Sequence, residues 1–99
     1  DVRTDRDAVL QLLGSHREEM KGLGIKSLAL FGSFARNEAG PDSDVDLLVE
    51  FDRPVGLFHF VRVHRYLETL LGRKVDLVTP DALKERLRDR ILRELVSAA

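Results

Sequence analysis

Apolar residues recur at helical spacing from Thr4 to about Lys21, where Val9, Leu12, Leu13 and Met20 line one side together with His16. Thr4 or Asp5 can cap this helix, and Gly22 and Gly24 can end it. The period then shortens. Ser27 to Phe31 reads as a buried strand closed by Gly32-Ser33, and Phe34 to Glu38 as a brief helical turn leading into Gly40-Pro41-Asp42. In the next strand, Val45 to Phe51, side chains alternate between two faces: Val45, Leu47, Val49 and Phe51 share one, Asp44, Asp46, Leu48 and Glu50 the other. Arg53-Pro54 stops it. Gly56 to Leu71 predicts a second long helix with Leu57, Val61, His64, Leu67 and Leu71 as its stripe, closed by Gly72. Lys74 to Thr79 predicts a third strand. Thr79-Pro80-Asp81 opens a last helix, with a hydroxyl cap, Pro at the first helical position and an acid at the positive end of the dipole. Leu83, Leu87, Ile91 and Leu95 are its core positions, with Leu92 and Val96 beside them.

The predicted order is α-β-(short α)-β-α-β-α, an α/β (α+β) fold with a three-stranded mixed sheet in a single domain spanning residues 1–99. Composition agrees with a compact chain: 43% of the 99 residues are hydrophobic and 33% charged. Sixteen Lys and Arg against seventeen Asp and Glu give a net charge of −1, so no overall basic field draws nucleic acid to the chain. The absence of cysteine excludes a disulfide scaffold, a zinc ribbon and a thiol nucleophile. The longest apolar run, Leu28 to Phe31, is far short of a membrane span, and a cytoplasmic location is expected.

Several familiar sites fail on spacing. Gly22-Leu23-Gly24 precedes a strand and meets Ser27 where a dinucleotide fingerprint needs a third glycine. Gly72-Arg73-Lys74-Val75 lacks the upstream glycine and the hydroxyl residue of a phosphate-binding loop. Asp42, Asp44 and Asp46 imitate a calcium loop, but Leu47 and Arg53 stand where Gly and Glu are required. His59 and His64, five residues apart, do not share a helical face and read as ordinary helix positions.

One constellation survives. Phe31-Gly32-Ser33 ends one strand, Asp44-Val45-Asp46 begins the next, and Asp76 lies near the start of the third. Carboxylates at i and i+2 of a strand project to one face, so Asp44 and Asp46 can grip one cation. Hard oxygen donors of this kind suit Mg²⁺, which completes its shell with water and phosphate. Backbone N–H groups of the turn at Ser33 offer a phosphate site, Gly32 allows close approach, and Arg36 adds a fork of donors. Each residue alone has a plainer reading. Asp44 and Asp46 could be solvated edge acids, Asp76 the polar half of an alternating strand, Ser33 a helix cap and Arg36 a surface cation. At these spacings together they point to a site.

The wording Phe31-Gly32-Ser33-Phe34-Ala35-Arg36, followed by Ser43-Asp44-Val45-Asp46-Leu47-Leu48-Val49 and by Asp76, resembles the minimal nucleotidyltransferases of the DNA polymerase beta-like superfamily. The likeness covers about Leu28 to Thr79, with Asn37 standing where these enzymes usually carry Gly. It implies transfer of a nucleoside monophosphate from an NTP, with ATP the expected donor. In that reading Asp44 and Asp46 hold Mg²⁺ on the phosphates, and Asp76 binds a second ion and helps deprotonate the acceptor. Mn²⁺ can substitute. Gly32, Ser33 and Arg36 hold the nucleotide's phosphates. No base- or acceptor-binding domain like that of larger relatives is expected within residues 1–99. The resemblance therefore implies a separately encoded helical partner of the HEPN class, adenylylated on a tyrosine, with this chain as antitoxin. A non-catalytic module that caps the toxin and a nucleotidyltransferase for a small molecule stay open as alternatives, as does a homo-oligomer.

Overall fold

The computed structural model describes residues 6–36, 38–40, 43–80, 93 and 96–97. The first predicted helix is two helices, α1 (Arg6–Ser15) and α2 (Arg17–Gly22). The break has a local cause. Ser15 Oγ donates to Leu12 O at 2.8 Å and the His16 ring reaches the same carbonyl at 3.0 Å, while His16 N turns to Leu13 O instead. Side chains that compete for a helical carbonyl offer the backbone another route. Val9, Leu13 and Met20 still reach the core from both pieces.

Strand β1 (Ile25–Phe31) begins two residues earlier than the pattern suggests. Ile25 pairs with Phe51 and Ser27 with Glu50, so Lys26 is the extra residue of a bulge. The bulge resets the alternation and lets Ile25, Leu28 and Leu30 all face the core. After β1 comes a single turn, α3 (Gly32–Ala35), which starts two residues before the expected Phe34–Glu38 segment and overlaps it at Phe34 and Ala35, and then β2 (Val45–Phe51). Helix α4 (Leu57–Leu71) leads to β3 (Val75–Val78), and β4 (Val96–Ser97) completes the described elements. Neither α4 nor any other described helix is long and apolar enough to cross a membrane.

The sheet is mixed, as expected: β1 and β2 run antiparallel, β2 and β3 parallel. The order is β3-β2-β1-β4. The two-residue β4 pairs with Ala29 and Leu30, and is an addition to the three expected strands; Val96 was expected beside a helical stripe. The expectations for Asp81, Leu83, Leu87, Ile91, Leu92 and Leu95, and for Thr4, Asp5, Asn37, Pro41 and Asp42, concern residues outside those described.

Helix α4 keeps the predicted stripe in its second half, at Leu67 and Leu71, but not in its first turns, at Leu57 and Val61. Val63, Leu67 and Leu71 are buried and Phe60, Tyr66 and Leu70 flank them, whereas Leu57, Phe58 and Val61 are exposed. Apolar residues surround the first turns of this helix, so periodicity alone cannot choose their inward side. Gly72 ends the helix as expected, in the left-handed conformation (φ 66°), with its N–H on Glu68 O at 2.8 Å. The helices and one face of the sheet enclose the aliphatic core, and the opposite face carries the acids.

Candidate active site

The site is built where β1 ends and where β2 and β3 begin. Phe31 pairs with Asp46 across the antiparallel ladder, and the chain then turns at Gly32 with φ 74°. Glycine is required there for two reasons. The conformation disfavours a side chain, and a Cβ would run into Asp46 Oδ2. What Gly32 accommodates in this structure is therefore the Asp46 carboxylate. Phe31, with no side-chain cap, holds the N-cap position of α3, so Ser33 is inside the turn and does not cap it. The turn is closed by Arg36 N on Gly32 O at 3.1 Å and Glu38 N on Ser33 O at 2.8 Å. Arg36 follows directly, its Nε donating to Glu38 Oε1 at 2.9 Å.

The acids meet through sheet register. Asp46 and Asp76 are direct partners in the parallel β2–β3 ladder, and Asp44 lies one residue before β2. Asp46 is half-buried; Asp44 and Asp76 are exposed. The Asp46 carboxyl is pushed from 3.8 up to about 6, first by burial and then by the charges of Asp76 and Asp44. A hydrogen bond with Asp76 favours the protonated form further, while the Arg36 charge pulls the other way. All three acids and Arg36 thus share one electrostatic environment. No three described His, Asp or Glu side chains stand close enough for a ready-made cation cage.

Residues that the spacing did not single out support this arrangement. Arg73 lies over the Phe34 ring at 5.3 Å and donates to Gly40 O at 3.2 Å, tying the approach to β3 to the loop that carries Asp44. Ser43 and Gly40 bond reciprocally, through Gly40 N to Ser43 Oγ at 2.8 Å and Ser43 N to Gly40 O at 3.1 Å. Val45 N donates to Lys74 O at 2.9 Å. In sequence, Arg73 was visible only as part of a failed phosphate loop; its stacking on Phe34 depends on tertiary contact. The two histidines do not form a pair. His59 Nε2 reaches Leu23 O at 2.6 Å, and His64 Nε2 reaches Val75 O at 2.7 Å. A cleft of about 730 Å³ opens at the far end of β2, lined by Phe51, Pro54, Phe60 and Thr79 among others, and Asp44, Asp46 and Asp76 do not reach it. Chemistry, not cavity size, locates the candidate active site.

Comparison with known proteins places this geometry. Residues 13–98 match the nucleotidyltransferase domain family. The protein adenylyltransferase MntA of Thermococcus cleftensis is 40% identical over 91 residues, covering 91% of this chain and 92% of that protein. A solved structure that carries the provisional name minimal nucleotidyltransferase superimposes with a TM-score of 0.80 at 37% identity, covering 93% of this chain and 94% of the other. The MNT antitoxin in complex with the tri-AMPylated HEPN toxin of Shewanella oneidensis shares the fold, with a TM-score of 0.65 at 17% identity over 91% of this chain and 71% of that one. The acids at the head of a mixed sheet, the glycine turn beside them and these relatives agree: the chain belongs to the nucleotidyltransferase domain family, as an enzyme of its minimal kind.

Proposed function

We propose that the enzyme transfers AMP from ATP to a tyrosine hydroxyl of a separately encoded HEPN protein and thereby acts as its antitoxin. The observation that carries the chemistry is the pairing of Asp46 with Asp76, with Asp44 close enough to act on the same carboxyl. Clustered acids beside a left-handed glycine turn suit phosphoryl chemistry, where positioning and charge stabilisation supply most of the rate. The acceptor class is supported by the name of the Thermococcus relative and by the AMPylated toxin bound to a protein of the same fold.

The oxygen donors are of the kind a hard divalent cation takes, and binding one would draw the three carboxylates closer than they stand here. Burial and mutual repulsion raise the Asp46 carboxyl to about 6, and a cation would relieve that repulsion. Asp44, Asp46 and Asp76 would hold Mg²⁺, two ions in the full site, or Mn²⁺ in its place. When bound, such ions neutralise phosphate charge and acidify the attacking hydroxyl. The chain's own residues do the rest. Asp76 orients the acceptor hydroxyl and takes its proton as its oxygen bonds to the α-phosphorus and the bond to pyrophosphate breaks. Ser33 and the Gly32 backbone hold the departing phosphates. Arg36 exchanges its Glu38 partner for phosphate oxygen, its planar fork matching that geometry.

Incubation with α-labelled ATP, Mg²⁺ and the protein encoded beside it tests the reading. Label is expected on a tyrosine of that neighbour, and Asp44→Asn should abolish labelling while the two proteins still associate. Association and toxin neutralisation without nucleotide transfer would overturn it in favour of a capping module.

A further inference from the structure

Strand β3 stands at one edge of the described sheet, yet both outward backbone groups of Val75 are occupied. Val75 N donates to Glu68 Oε2 at 3.1 Å, and Val75 O accepts from His64 Nε2 at 2.7 Å. The two side chains stand one turn apart on α4, with His64 Nε2 at 3.4 Å from Glu68 Oε2. Each is about one-third exposed, at 33% and 34%, so the pair is partly shielded from water.

The strand's pleat makes this placement specific. Lys74 O accepts from Val45 N, so residues 74, 76 and 78 turn their backbone groups toward β2, while Val75 turns its own outward. Asp76 is thus held by its backbone from the β2 side, and the residue before it from the α4 side. The carbonyl that His64 engages belongs to the peptide unit leading into Asp76. That unit is planar from the Val75 Cα to the Asp76 Cα, so tilting it swings the Asp76 side chain.

We propose that His64 and Glu68 are positioning residues: they clamp Val75 and thereby fix the carboxylate of Asp76 opposite Asp46. Neither touches the reacting groups. The proposal rests on the reading of Asp76 as the residue that handles the acceptor hydroxyl. A displacement of about 1 Å can cost on the order of 100-fold in rate, so loss of one clamp bond is expected to cost about tenfold or more.

Glu68→Ala should lower kcat for labelling of the neighbour protein about tenfold and leave the KM for ATP unchanged. Glu68→Gln keeps an oxygen that can accept from Val75 N and should restore most of the rate. In an Asp76→Asn background Glu68→Ala should cost nothing more, because the group being positioned is already gone. Rates are taken per folded molecule, with the folded fraction measured by circular dichroism. A second readout needs no turnover. By NMR, exchange of the Val75 amide should accelerate and the Asp76 carboxyl carbon shift should move in Glu68→Ala and in His64→Ala, and both should return toward wild type in Glu68→Gln. Unchanged Asp76 shift in the two alanine variants would overturn the clamp, as would an ATP KM that rises in step with the fall in kcat. If the wild type labels no acceptor at all, the proposed function fails, and the NMR readout still decides the clamp.

Discussion

The two faces of β2 set a buried apolar row against a carboxylate. Val45, Leu47 and Val49 are fully buried on one face, where each contributes roughly 1.5–3 kcal/mol by leaving water. Asp46, between the first two, faces the other way and lies in surroundings that raise its carboxyl to about 6. Leu48, on Asp46's own face, is buried as well, so the cost in stability falls on the Asp46 carboxyl, one residue from side chains that stabilise the fold. The alternation of a pleated strand makes this possible, because successive side chains never share a neighbourhood. Chemistry can therefore be placed on rigid backbone without entering the core.

Breaking the core side should give the largest effect. Leu47→Ala removes a fully buried side chain and should cost about 2–5 kcal/mol, a large share of the roughly 5–15 kcal/mol expected of a domain. Thermal unfolding would show it as a clear drop in Tm, while the molecules still folded should keep nucleotide transfer. Gly32→Ala attacks the boundary between the faces. It places a side chain at φ 74° and against Asp46 Oδ2, and should cost about 1–3 kcal/mol. Turnover should fall further than stability does, since the displaced group is the Asp46 carboxylate. A variant that loses stability and keeps full turnover would show that the turn serves folding alone.

The smallest effect has the opposite sign. Asp46 has a folded-state carboxyl near 6 against an ordinary 3.8, so the native state binds its proton more tightly than the unfolded chain does. This favourable contribution is complete below about 3.8 and is lost as pH rises through about 6. Above that range the ionised group opposes folding. Asp46→Asn should therefore match the wild type near pH 3.5 and exceed it near pH 7.5 by on the order of 1 kcal/mol, a figure reduced for the group's half exposure to water. Urea unfolding in chelator at the two pH values measures it. Lower stability of the Asn variant at pH 7.5 would erase the difference between the faces.

Legibility in the sequence followed the range of the interactions involved. Asp44, Asp46 and the alternation of β2 were readable because they depend on a period of two within one strand. The mixed character of the sheet was readable from the order of the elements, and the antiparallel and parallel pairings bring Asp46 beside Phe31 and Asp76. The break at His16 was not readable, since two side chains had to find one carbonyl, Leu12 O. The α4 stripe was misplaced at Leu57 and Val61 because apolar residues there surround the helix. The work of His64, Glu68 and Arg73 depends on contacts across 11, 7 and 33 residues of chain, which no local pattern records.

The bulge at Lys26 has a consequence for how such a chain can vary in length. With Lys26 removed, Ile25 would precede Ser27 directly, and the strand would alternate regularly: Ile25, Leu28 and Leu30 inward, Ser27, Ala29 and Phe31 outward. The ladder from Ser27 to Phe31 would keep its partners, Glu50 to Asp46. A deletion at Lys26 is thus absorbed before Ser27 and leaves the register at Asp46 unchanged. Descendants of this sequence can lose a residue at the start of β1 while the acids stay in register, much as an expansion joint lets one span move without shifting the next.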